Sequence, residues 1–139
     1  MKKALKTDWN IKPFPKDYTT LEYQKSYSLE EYDKLRYGCV PAQMEDKWFI
    51  YFEDNKLYFH RSWTGICVYI VEFLISEDRV EVSNTKVNRS KEEHTDEEVE
   101  SKDVEILTYL IDHVLLKKEV ELPFENPLEN WSVLGRDME

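Results

Sequence analysis

Three glycines, two cysteines and three histidines are all that this 139-residue chain holds of the residues on which most motif chemistry is built. The glycines stand at 38, 65 and 135, too far apart for a phosphate-cradling loop or a dinucleotide fingerprint. Cys39 and Cys67 make no paired-cysteine motif. One disulfide is the most they can form, and without a secretory context both thiols are expected to stay reduced. His60, His94 and His113 share no ligand spacing, so no metal site is expected, and no cofactor either. Positive charge is also scarce. Lys and Arg total 19 against 29 Asp and Glu, a net charge of −10. Charge of that sign repels a phosphate backbone and an anionic bilayer, so neither nucleic acid nor membrane is an expected partner. No apolar run approaches the roughly 20 residues that span a bilayer. The start, Met1-Lys2-Lys3-Ala4-Leu5-Lys6-Thr7-Asp8, has the charge of a signal peptide without its apolar core. A cytoplasmic location is the expectation.

What the chain does have is aromatic side chains, 14% of its residues, within a hydrophobic fraction of 41%. That suits one folded domain over 1–139, with a core at 9–122 and an irregular tail at 123–139. The stretch from Asp8 to Tyr27, with Pro13 and Pro15 among scattered aromatics, reads as irregular chain lying on a core. Ser28-Leu29-Glu30-Glu31 is a capping box that predicts a short helix ending at Gly38. Four strands are predicted at 47–53, 56–62, 66–75 and 80–89, joined by turns at Asp54-Asn55, at Trp63 to Gly65 and at 76–79. A second capping box, Thr95-Asp96-Glu97-Glu98, opens a helix predicted to run to about Lys117, with a restart at Ser101. Its apolar stripe is Val104, Leu107, Leu110, Ile111, Val114 and Leu115. The expected fold is therefore α+β. A four-stranded antiparallel meander carries the long C-terminal helix on one face and the N-terminal segment with its short helix on the other. Which cover takes which face stays open.

The tight turn fixes a register. It sets Phe52 opposite Leu57, Ile50 opposite Phe59 and Trp48 opposite Arg61 on one face, which Tyr69, Val71 and Phe73 then join. Phe49, Tyr51, Tyr58, His60 and Ser62 share the other face with Ile66, Val68 and Ile70. The same register gathers Lys47, Trp48, His60, Arg61, Ser62, Trp63, Thr64, Cys67, Asn88 and Arg89 at one end of the sheet. Basic side chains beside tryptophans are a local exception in an acidic chain. A guanidinium can hold a carboxylate or phosphate through two parallel bonds, and an indole can stack on a flat ring. Trp48, His60, Arg61, Trp63 and Arg89 are thus the candidate ligand-binding residues. The structural alternative is that Arg61 only pairs with an acidic residue of the helix and that Trp48 and Trp63 are ordinary core. No catalytic residue is assigned. His60 and Ser62 lie two apart on one face without a third group, and a strand does not present a serine as a nucleophile elbow does. Cys67, in an apolar strand, reads as an inert core thiol. The acidic run Glu92 to Glu105 reads as a solvated loop and helix start.

The run Met44-Glu45-Asp46-Lys47-Trp48-Phe49-Ile50-Tyr51-Phe52-Glu53, followed by Leu57-Tyr58-Phe59-His60-Arg61-Ser62-Trp63-Thr64-Gly65, resembles a small bacterial domain family of unknown function. Members of that family occur alone and in chains related to ADP-ribosylglycohydrolases. The string His60-Arg61-Ser62-Trp63-Thr64-Gly65 is the most specific part of the likeness, which extends from Trp9 to the long helix. The resemblance brings no catalytic residue with it, and the chain lacks the carboxylate-rich metal motifs of the glycohydrolases. It implies a companion role near ADP-ribose or nucleotide chemistry.

Together these readings lead to an expected function. It is a non-catalytic binding or interaction module for a small anionic, nucleotide-like ligand or for a protein partner. The alternative is a hydrolase acting near ADP-ribose or nucleotide chemistry, with His60 at work and Arg61 as anion clamp.

Overall fold

The computed structural model describes residues 2–90 and 100–136. The expected charged loop and the capping box at Thr95 lie outside them. Within them, the hairpin at the centre follows from its turn. Asp54 and Asn55 both take positive φ (52° and 63°), the geometry of a two-residue turn whose twist matches its strands. It joins β3 (Trp48–Glu53) to β4 (Lys56–Arg61), and Trp48 lies opposite Arg61, Ile50 opposite Phe59 and Phe52 opposite Leu57, as the turn predicts. β5 (Cys67–Ile75) pairs with β4, and β6 (Arg79–Asn88) pairs with β5.

The expected four-stranded meander is incomplete. The N-terminal segment supplies β1 (Tyr18–Thr20) and β2 (Ser26–Ser28), which lie end to end along the outer edge of β6 and make an antiparallel sheet of six strands. An open β6 would leave a row of unpaired N–H and C=O groups. β1 and β2 satisfy them, helped by Leu21 N–H to the Thr85 carbonyl and Val82 N–H to the Lys25 carbonyl. Three-residue strands are too short to show an alternating pattern, which is why the sequence reads as irregular there.

The long C-terminal helix is also corrected. α2 (Glu100–Thr108) lasts nine residues and then widens into a π-helical stretch, Tyr109–Leu115. Leu116 N–H reaches back five residues to the Ile111 carbonyl. The wider turn carries a buried carboxylate, Asp112, which accepts from the Tyr27 hydroxyl (3.0 Å) and Lys25 Nζ (3.2 Å). The buried apolar residues along the helix are Ile106, Leu107, Tyr109, Leu110, Ile111 and Val114, while Val104 is exposed.

The two faces are covered differently from expectation. α1 (Leu29–Leu35), with the expected Ser28–Glu31 capping box, lies on the same face as α2 and its π-helical extension. Tyr32 and Leu35 enter the large core with Trp48, Ile50, Phe59, Tyr69 and Val71, and Tyr32 meets Phe52 and Phe73 edge-on. The opposite face has a smaller cover. Ala4, Trp9 and Ile11 pack on Phe49, Tyr51 and Tyr58, with only a single 3₁₀ turn at Lys6–Asp8 among them. A bulge where His60 meets Cys67 turns the Cys67 backbone opposite His60 and sends Val68 towards the large core, reversing its expected side.

The tail is not irregular either. α3 (Pro127–Leu134) starts at Asn126, whose side chain accepts from Leu128 N–H, with Pro127 at the first helical position. Asn130 clamps the entry by bonding both the N–H and the carbonyl of Phe124. Gly135 ends it at φ 80°. No helix among the described residues is long and apolar enough to cross a membrane.

Candidate functional site

The end of the sheet where β3 begins and β4 ends is organised around α3. Asp46 is fully buried and ties that end together. Its Oδ2 accepts from Ala42 N–H (2.8 Å) and Gln43 N–H (3.1 Å). Its Oδ1 lies 2.7 Å from Arg136 Nε, off the line of a hydrogen bond, while Arg136 Nη2 donates to Oδ2 at 3.2 Å. The backbones of Asp46 and Gly135 pair as a β-bridge, and Arg136 N–H donates to the Glu45 carbonyl. A side chain at 135 would put its Cβ 2.2 Å from that carbonyl oxygen. The approach therefore needs glycine for space as well as for φ.

Arg61 and Trp48, opposite one another across the hairpin, point at the C-terminal end of α3. Arg61 Nη2 donates to the Ser132 carbonyl at 3.0 Å, and Nη1 donates to the Val133 carbonyl. Trp48 Nε1 donates to the same Val133 oxygen at 2.7 Å, and the guanidinium lies 4.8 Å from the centre of the Trp48 ring. The last carbonyls of a helix have no partners within it and form the negative end of its dipole. The donors of Arg61 and Trp48 that were expected to meet a ligand thus meet backbone carbonyls of the chain itself. Burial pushes the Arg61 guanidinium down to about 10, so it remains charged at neutral pH.

Arg89 is also engaged inside the fold. Its Nη2 lies 2.6 Å from Asp103, whose other oxygen accepts from the Tyr69 hydroxyl at 2.7 Å. Burial, reinforced by the Asp103 carboxylate, holds the Tyr69 phenol far above its usual range. Tyr69 stacks on Trp48 at 5.9 Å, so Trp48, Arg61 and Arg89 form one connected set on the helix-covered face.

His60 is on the other face, as the register requires, and is not joined to Arg61. Its Nδ1 lies 2.9 Å from the Gly65 carbonyl. A carbonyl only accepts, so Nδ1 carries the proton and Nε2 bears the lone pair. Nε2 is buried without a hydrogen-bond partner among the described residues. Burial lowers the His60 pKa, and the Gly65 bond offsets part of that. Ser62 Oγ donates to the Asp46 carbonyl at 2.7 Å. Neither His60 nor Arg61 lines a described cleft, and the two share none. Cys39 and Cys67 are not joined in a disulfide, and burial pushes the Cys39 thiol up to about 11. Among the described residues no group of histidines, cysteines and carboxylates is placed to hold a metal.

Trp63, alone among the five predicted residues, faces solvent, with 63% of its surface exposed. Its Nε1 donates to the Met44 carbonyl at 2.8 Å, which fixes the plane of the ring. Lys47 Nζ lies 3.7 Å from the Trp63 ring centre and 4.3 Å from that of Trp131 on α3. One ammonium therefore bridges two exposed indoles. Compared with known proteins, the chain matches no family model, no curated protein and no solved structure.

Large exposed apolar side chains occur at this end of the sheet besides Trp63. Met44 is 72% exposed, Leu128 78% and Trp131 50%, and Leu128 sits one helical turn before Trp131. Two shallow clefts adjoin the Trp63 ring. One of about 490 Å³ runs between Trp9, Pro41 and Met44, and another of about 630 Å³ runs between Trp9, Asp8 and Thr64. Lys47, Trp131 and Trp9 were not among the predicted site residues. The signal for Trp131 was available: Asn126-Pro127 with Gly135 eight residues later is a helix start and stop.

Proposed function

We propose that this domain is a non-catalytic interaction module that binds a basic polypeptide through the surface carrying Trp63 and Trp131. The observation that carries the reading is the exposure of these two rings beside Met44 and Leu128, while the donors of Trp48, Arg61 and Arg89 are used within the fold. Tryptophan and methionine are enriched where proteins meet, and tryptophan dominates their energetics. Contiguous exposed apolar surface of this kind marks such a contact. The net charge of −10 sets the sign of the partner, because complementary charge steers encounter and suppresses like-charged competitors.

The experiment uses a fluorescent hexapeptide of alternating arginine and leucine, acetylated and amidated, with a glutamate–leucine counterpart. Anisotropy should show salt-sensitive binding of the basic peptide and none of the acidic one. Trp63→Ala, folded by circular dichroism, should bind at least tenfold more weakly, about 1.4 kcal/mol. Equal binding of both peptides, or unchanged affinity in Trp63→Ala, overturns the reading.

A further inference from the structure

The cleft between Trp9 and Trp63 has a composition that the rest of the exposed patch lacks. Two indoles and one carboxylate, Asp8, line it, and no basic side chain does. Both indoles are held before any ligand arrives. Trp9 Nε1 donates to the Ser62 carbonyl at 2.8 Å, and its ring stacks on buried Phe49 at 6.0 Å. Trp63 is fixed through Met44. Asp8 is fixed as well, since its Oδ2 accepts from Leu5 N–H at 2.8 Å and closes a short 3₁₀ turn at Lys6–Asp8. Gly65 lets this N-terminal segment come close: its φ is 78°, and a Cβ there would meet the Asn10 carbonyl at 2.5 Å. Lys12 N–H donates to the Gly65 carbonyl and holds the segment in place.

We infer that this cleft is the subsite for a cationic side chain, a guanidinium or an ammonium, of the basic partner. The inference rests on the interaction reading and names the group recognised. A cation over an indole face is drawn to the ring's negative quadrupole, and the attraction grows as water is excluded. The Trp63 ring already accepts an ammonium, that of Lys47, on one side. Trp63 lines the cleft and Lys47 does not, so the cleft itself holds no cation of the chain. The Asp8 carboxylate supplies the counter-charge and a hydrogen-bond acceptor, which an apolar or anionic side chain would not use. Because walls and carboxylate are pre-set, little ordering opposes binding.

The test is a cycle between ligand charge and Asp8. Citrulline keeps the shape of arginine and removes its charge. A citrulline–leucine hexapeptide should bind the native protein at least tenfold more weakly than the arginine–leucine one. On Asp8→Asn, which keeps an oxygen for the Leu5 N–H, the same replacement should cost less than threefold. On Trp63→Leu the penalty should also shrink. An equal citrulline penalty on all three proteins places the cation elsewhere and overturns the subsite while the interaction reading stands. Absence of any arginine–leucine binding to the native protein overturns both.

Discussion

Removing the guanidinium that seats α3 should loosen that helix and little else. In Arg61→Ala two charge-assisted hydrogen bonds disappear, to Ser132 and Val133, together with the contact over Trp48. A hydrogen bond from a charged donor contributes about 1.5–3 kcal/mol when shielded. The bond to Ser132 is exposed, so water replaces most of it. The Val133 oxygen keeps its bond from Trp48, so it is not orphaned. The cation–π contact adds about 1 kcal/mol. Against these stands the cost of holding a charge out of water, which the substitution removes. The net loss is about 2 kcal/mol, near a 30-fold shift in an equilibrium. It falls on one element, because α3 buries only Asn130 and Leu134 among its residues. Native-state hydrogen exchange reads this directly. The amides of α3 and Gly135, which donates to Trp131, should exchange about 30-fold faster, while those of β4 and β5 hold. Arg61→Lys should recover part of the protection, since one ammonium cannot span both carbonyls as a planar fork does. A change below threefold in α3, or an equal loss across the sheet, would refute the assignment of Arg61 to the helix end.

Four further outcomes follow from the same packing. Leu110→Ala, at a site 1% exposed in the large core, should cost about 2–5 kcal/mol in a denaturant melt. Asp103→Ala leaves Arg89 and the Tyr69 hydroxyl without their shared carboxylate and should cost about 3–5 kcal/mol by the same melt. Gly135→Ala, forced to φ 80° with its Cβ against the Glu45 carbonyl, should lose about 1–3 kcal/mol, seen first as faster exchange in α3. Because burial lowers the His60 pKa, the folded state binds that proton less readily than the unfolded chain, whose histidines titrate near about 6.5. The contribution of His60 is therefore full above that pH and is lost as pH falls towards the lower folded value. The stability difference between the native protein and His60→Gln should shrink between pH 7.5 and pH 5, and a constant difference contradicts it.

The central hairpin was legible because its signals are local and redundant. Asp54-Asn55 sets the turn, the turn sets the register, and the register places Trp48 beside Arg61 on the opposite face from His60. The Ser28–Glu31 capping box was legible for the same reason. Long-range pairing was not. Nothing in Tyr18–Thr20 or Ser26–Ser28 says that β6 needs an edge partner. The π-helical turn answers to a carboxylate whose partners, Tyr27 and Lys25, are some 85 residues away in sequence. The site shows the same division. Register correctly set Trp48 opposite Arg61, while the carboxylate or phosphate expected for the guanidinium is not what it meets in the fold. The acceptor was α3, whose Asn126-Pro127 start was read as part of an irregular tail. With that helix in place, the exposed chemistry of the sheet end passes to Trp63, Trp131 and Trp9.

Of the four tryptophans Trp48 is buried in the core and Trp63 and Trp131 are exposed, and the indole N–H signals in a nitrogen-15 correlation spectrum report on each ring separately. As the arginine–leucine peptide is added, the Trp63 and Trp9 signals should move together and saturate, while that of Trp48, buried against α3, should stay in place. Movement of Trp48 ahead of Trp63, or four unmoved indoles at saturating peptide, would contradict the claim that this module meets its partner through the exposed tryptophan surface.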